Sequence, residues 1–171
     1  QEVTYPKILF RMGWNINDNN DLALIPALYR LSQKTILRTE FYLWLGESDE
    51  KLMTMLEKNF TSLKMITGEI DEAGQPTTDE LKNALSESDL FFYTPGAAKN
   101  VDWSGNNNAG IETKSLQYCL DNGIPYAIFG LGRIPEQEQS LDRFIKIANG
   151  AKFVYGSSSS IDKLLKDRDI K

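Results

Sequence analysis

Apolar residues along the chain fall into short runs that alternate with longer stretches of helical spacing. Residues 7–13 (KILFRMG), 40–46 (EFYLWLG), 63–70 (LKMITGEI), 89–96 (DLFFYTPG), 124–132 (IPYAIFGLG) and 151–156 (AKFVYG) are short and densely apolar, and read as strands. Residues 21–33, 48–60, 77–88, 108–123, 138–150 and 158–168 carry apolar residues three and four apart, and read as helices. Capping chemistry supports the boundaries. Asp21 and Ser48 stand where N-caps belong, and Thr followed by acids opens the stretch at 77, where carboxylates suit the positive end of a helix dipole. Asn122-Gly123 is a stop signal, because glycine accepts the left-handed conformation that ends helices, and the helix from 138 is expected to stop on Asn149-Gly150. Pro26 fits the first turn of its helix or kinks it.

Strict alternation of strand and helix predicts an α/β fold with a mostly parallel sheet. Several strands are apolar at both parities, as a sheet covered on both faces requires. The expectation is a doubly wound, Rossmann-like three-layer sandwich with six strands in the order 3-2-1-4-5-6. A length of 171 residues suits a single domain over the whole chain, with one core.

Composition narrows the function more than the fold. The net charge of −5 argues against general nucleic-acid binding, which relies on basic surface. No apolar run approaches the roughly 20 residues needed to span a membrane. The chain holds no His, which removes Ser-His-Asp and Cys-His catalysis and His-ligated metals. Acid–base work falls to Asp, Glu, Lys or Tyr, or to groups outside the chain. Cys119, the only cysteine, sits in a helical apolar pattern and reads as a buried filler. Gln1 stands only a few residues before the first strand, which favours an exported chain over a cytoplasmic one.

In the expected topology a crevice forms beyond the carboxyl ends of strands 1 and 4, where the winding reverses. The two least ordinary connections leave those strands. One is WNINDNND (14–21), in which every residue from 15 to 21 except Ile16 is Asn or Asp. The other is PGAAKNVDWSGNNNAG (95–110), far longer than the usual βα loop of roughly 4–6 residues. Each holds a Trp (Trp14, Trp103), a nearby Asp (Asp18, Asp102) and asparagines (Asn15, Asn17, Asn106, Asn107). Ring faces cover the C–H side of a sugar while carboxylates and amides bind its hydroxyls, so these residues are candidate sugar contacts. Asn and Asp also favour turns with no ligand at all. Gly132 and Arg133, at the turn after the fifth strand, allow close backbone approach and anion binding, or form a plain surface turn. No GxGxxG follows the first strand, so a dinucleotide site is not expected, and no cofactor or metal is assigned.

These motifs, in this order, resemble the amino-terminal half of the polysaccharide pyruvyl transferase family. That family opens with a strand, an Asn-x-Gly-Asp loop and an ALxxxL helix; here the loop is Asn15-Ile16-Asn17-Asp18, followed by LALIPALYRL. DLFFYTPG matches its Asp-led apolar strand, with Pro95-Gly96 where the family has Gly-Gly. GIP (123–125), YAIFGLGRIP and FVYGSSSSIDKLLKDRDIK complete the series. Asn17 and Pro95 stand in place of family glycines, and a Gly/Ser run stands where the family has Arg-Asp after its last strand.

The resemblance implies the first lobe of a two-lobed, type B glycosyltransferase-like protein of bacterial surface polysaccharide synthesis. Such a protein transfers a pyruvyl group as a ketal from phosphoenolpyruvate to a glycan hydroxyl. Phosphoenolpyruvate would be held mainly by the second lobe, so the lobe alone is not expected to catalyse. It also implies Asp18 as the catalytic base, with Trp14, Asn15, Asn17, Gly96, Asp102 and Trp103 among the acceptor contacts. Two rival readings are a noncatalytic carbohydrate-binding or assembly module and a nucleotide-sugar glycosyltransferase lobe.

Overall fold

The computed structural model describes residues 5–12, 26, 30, 40–46, 50–59, 64–95, 101–105 and 111–170. Its elements are β1 (Lys7–Met12), β2 (Glu40–Gly46), α1 (Glu50–Asn59), β3 (Lys64–Thr67), α2 (Asp79–Glu87), β4 (Leu90–Thr94), β5 (Val101–Asp102), β6 (Ile111–Glu112), α3 (Lys114–Asp121), β7 (Tyr126–Leu131), α4 (Glu138–Gly150), β8 (Val154–Gly156) and α5 (Ser159–Asp167). Of the stretch 21–33 only Pro26 and Arg30 are described, both helical and exposed; the Asp21 and Ser48 caps lie outside the described residues.

Six strands form one sheet in the order β3-β2-β1-β4-β7-β8. With the two-residue β5 and β6 set aside, this is the expected 3-2-1-4-5-6. Every described pairing in it is parallel. The chain is an α/β, Rossmann-like sandwich, and no helix among its described residues is long and apolar enough to cross a membrane.

The core lies on one face of the sheet. Leu9 of β1, Phe91 and Tyr93 of β4, and Tyr126 and Ile128 of β7 share a parity. They pack in one cluster with Leu81 and Leu85 of α2, Leu116 and Cys119 of α3, and Phe144 and Ile147 of α4. The opposite parity carries a row of aromatic rings. Phe10 meets Phe92, which meets Phe129 and Phe153, with Tyr155 beyond them at the β8 edge.

Local chemistry accounts for the boundaries. Thr78 caps α2 by accepting from the Leu81 amide, with Asp79 and Glu80 in the first turn. Gly123 ends α3 at φ +67°, the left-handed geometry its position anticipates. Gly150 has a different reason to be glycine. It is the last helical residue, and a Cβ there would sit 2.6 Å from both Leu120 Cδ1 and the Tyr126 hydroxyl. That hydroxyl donates to the Ile147 carbonyl.

One expected helix is corrected. The helix anticipated from 108 begins only at Lys114, and residues 111–112 are a strand paired in parallel with 101–102. Ile111, Thr113 and the Asn/Gly-rich stretch before them carry weak helix preference. The Thr113 side chain bonds the Asp102 carbonyl instead.

Trp103 and Phe144 meet edge to face with centroids 4.8 Å apart, and both are buried. Phe144→Ala is therefore expected to lower stability by about 3–5 kcal/mol in urea unfolding. A second prediction concerns alkaline pH. Burial pushes the Cys119 thiol up, and burial together with neighbouring Cys119 pushes the Tyr126 phenol up. Raised acids leave stability intact below their unfolded pKa values and lose it as pH rises through them toward the folded ones. The urea midpoint should hold to about pH 8.5 and then fall, and Cys119→Ala should delay the fall toward about pH 10, where the phenol takes over.

Candidate functional site

β1 and β4 are the adjacent central strands, and Met12 and Thr94 stand side by side at their carboxyl ends. Thr94 is buried and donates its hydroxyl to the Arg11 carbonyl across the pair, 2.9 Å away. The segments leaving these ends are thus brought to one place by the sheet itself. Trp14, Asn15, Asn17, Asp18, Gly96, Asn106 and Asn107 lie outside the described residues. Asp102, Trp103, Gly132 and Arg133 are described.

Asp102 is half-buried in β5. Its Oδ1 accepts the Ser104 amide at 2.9 Å and the Ser104 hydroxyl at 2.5 Å. Its Oδ2 is buried and has no hydrogen-bond partner among the described residues. A buried carboxylate oxygen keeps most of its acceptor capacity and costs free energy while that capacity goes unused. Asp102 therefore retains an unused acceptor beside the β4–α3 connection.

Trp103 departs from expectation. Only 3% of it is exposed, and its ring packs on Phe144 in the core. An indole face turned inward is not a platform for a sugar. The residue anchors the connection instead of lining a crevice.

Arg133 is exposed and pairs with Glu136 one turn on, 3.1 Å away, which is surface turn chemistry. Gly132 leaves room for the Ser157 side chain, 4.0 Å from where a Cβ would stand. The strained backbone lies at Gly130, with φ +79°, where the register of β7 and β8 shifts.

Two arginines that the sequence reading passed over organise this end of the sheet. Arg11 is 7% exposed in β1 and faces Glu69, with Nη2 3.6 Å from Oε2. Its signal was a lone cation between apolar residues in KILFRMG, since a buried charge requires a partner. Arg143 of α4 donates from Nη1 to the Trp103 carbonyl at 3.1 Å and to the Thr113 hydroxyl. Thr113 is fully buried and donates in turn to the Asp102 carbonyl at 2.7 Å. The guanidinium thereby ties together both ends of the stretch 103–113. Gly105, at φ +79°, lets the backbone lie against it, since a Cβ would stand 3.2 Å from Arg143 Cζ. Nothing in sequence spacing links residues 103, 113 and 143.

Among the described residues no group of three or more Cys, Asp or Glu is arranged to hold a metal ion.

No family model matches the chain. No curated protein matches it in sequence. One solved structure to which it is similar is a conserved protein from Enterococcus faecalis V583, with 16% identity, 96% of this chain and 99% of that chain covered, and a TM-score of 0.39.

Arg143→Met should loosen the connection while leaving α4 formed. Amide exchange is expected to rise at 101–105 and 111–114, with a stability loss of about 1–3 kcal/mol from the unpaired buried acceptors. Arg143→Lys should recover part of the protection. Unchanged exchange in both stretches would count against the clamp.

Proposed function

We propose that this chain is the acceptor-binding lobe of a polysaccharide pyruvyl transferase-like protein, acting on a bacterial surface glycan. The observation that carries the reading is the side-by-side pairing of β1 and β4. It makes the Asn/Asp-rich segment 14–21 and the connection bearing Asp102 issue from one reversal point, the position where open α/β sheets bind ligands. Asp102 Oδ2, buried and without a hydrogen-bond partner among the described residues, adds an acceptor suited to a hydroxyl donor.

In this reading the acceptor offers two hydroxyls to C2 of phosphoenolpyruvate. Two C–O bonds form there and the bond from C2 to the phosphate oxygen breaks. One hydroxyl proton ends on C3, which becomes the ketal methyl, and the other leaves with phosphate. Asp18 orients and deprotonates the attacking hydroxyl, Asp102 and the asparagines hold the ring, and phosphoenolpyruvate is gripped by a second lobe. No cofactor is required.

A noncatalytic carbohydrate-binding module is the second reading. It is favoured by Pro95, buried directly after β4 where the resembled family has glycine, and by the burial of Trp103. Proline has no N–H to offer an anion.

The test is ketal formation by the full protein, followed as a new methyl signal when phosphoenolpyruvate and candidate glycans are supplied. Asp18→Asn is expected to slow transfer by about 100-fold or more, the usual effect of removing a general base. Undiminished transfer by Asp18→Asn would remove that role. Sugar binding without ketal from any acceptor would favour the module.

A further inference from the structure

A polar cavity of about 340 Å³ opens away from the sheet, between the turn at 71–75, the outer side of α3, Arg143 and residues 104–105. Its shape is held by hydrogen bonds from separate elements. The turn is closed by the Gln75 amide on Asp71 Oδ1 and by the Gly74 amide on the Asp71 carbonyl. Lys114 Nζ reaches the same carbonyl at 3.3 Å and joins the turn to α3. On the far side Arg143 holds the Trp103 carbonyl and the Thr113 hydroxyl, with Gly105 lying against its guanidinium.

The wall mixes three kinds of polar group. Glu72 and Asp121 offer acceptors only, Lys114 and Arg143 offer donors only, and Gln75, Gln117, Asn122 and Ser104 offer both. Among the described lining residues two acids stand against two bases, so this wall does not select a simple anion or cation. Hydroxyls that each donate and accept suit such a wall, and a sugar ring carries several of them close together. Ser104 links the cavity to the neighbouring carboxylate, because its amide and hydroxyl are both bound by Asp102.

We propose that this cavity is a second sugar subsite, taking a neutral ring of the same glycan whose reacting residue lies beyond β1 and β4. The proposal rests on the glycan-acceptor reading above and extends it. A chain that occupies both places is a polymer, so the subsite makes the lobe prefer an oligosaccharide to a single sugar.

The test is a titration of the isotope-labelled chain by amide NMR with glucose, galactose and N-acetylglucosamine, with glycerol as a control for weak polyol contact. At least one sugar is expected to shift the amides of 72–75, 104–105 and 114–121 saturably, and glycerol is not. Gln117→Leu, at a partly exposed position on α3 where the side chain also donates to Asp121 Oδ1 at 2.9 Å, should weaken that binding about fivefold, the loss expected from removing one or two neutral hydrogen bonds, with the amide spectrum of the free variant checking that the fold is kept. The proposal is overturned if these amides do not move with any of the three sugars, if glycerol matches them, or if Gln117→Leu binds like the parent chain. A failed titration with ketal transfer intact therefore overturns the subsite alone, whereas a saturable titration with no transfer overturns the reaction alone.

Discussion

The parallel pairing of β1 with β4 is the constraint on which the other features depend. A parallel pair cannot be closed by a tight turn, so each strand must be followed by a connection that leaves the sheet and returns. The chain winds outward from β1 to β3, then returns to lay β4 against β1 and winds the other way. The carboxyl ends of β1 and β4 therefore lie side by side at the point where the winding reverses. The Thr94 hydroxyl on the Arg11 carbonyl ties the two strands together at that end.

The long connection after β4 is held from outside the sheet. Trp103 is seated on Phe144, while the preceding residue in α4, Arg143, binds the Trp103 carbonyl and the Thr113 hydroxyl on either side of the connection. An apolar contact and a charge-assisted clamp from one helical turn thus act on the same stretch. The ring supplies burial and the guanidinium supplies direction, because its fixed fork of donors accepts only a narrow set of acceptor positions. Asp102 lies within this arrangement, with one oxygen committed to Ser104 and the other buried without a partner among the described residues.

The contrast between Trp103 and Arg11 shows where residue types mislead. A tryptophan amid asparagines looks like a ligand platform, yet this one is interior. An arginine inside an apolar strand can face solvent or need a buried partner, and this one is buried against Glu69. In both cases the local pattern permits either outcome. The choice was made by what stood opposite: Phe144 in α4 for the ring, and the Glu69 carboxylate just beyond β3 for the cation.

The sequence by itself determined the α/β class, the six principal strands, their order and the reversal point, because alternation of period and apolar density is a local property that parallel topology converts into a small set of arrangements. It also marked the α2 start at Thr78 and the α3 stop at Gly123, where backbone geometry depends on neighbours in the chain. Tertiary structure alone decided that residues 111–112 pair with 101–102, that Gly150 serves Leu120 and Tyr126, and that Arg143 closes the connection around Thr113. Each of these depends on groups far apart in sequence, and no spacing along the chain encodes such a meeting until the sheet has brought the partners together.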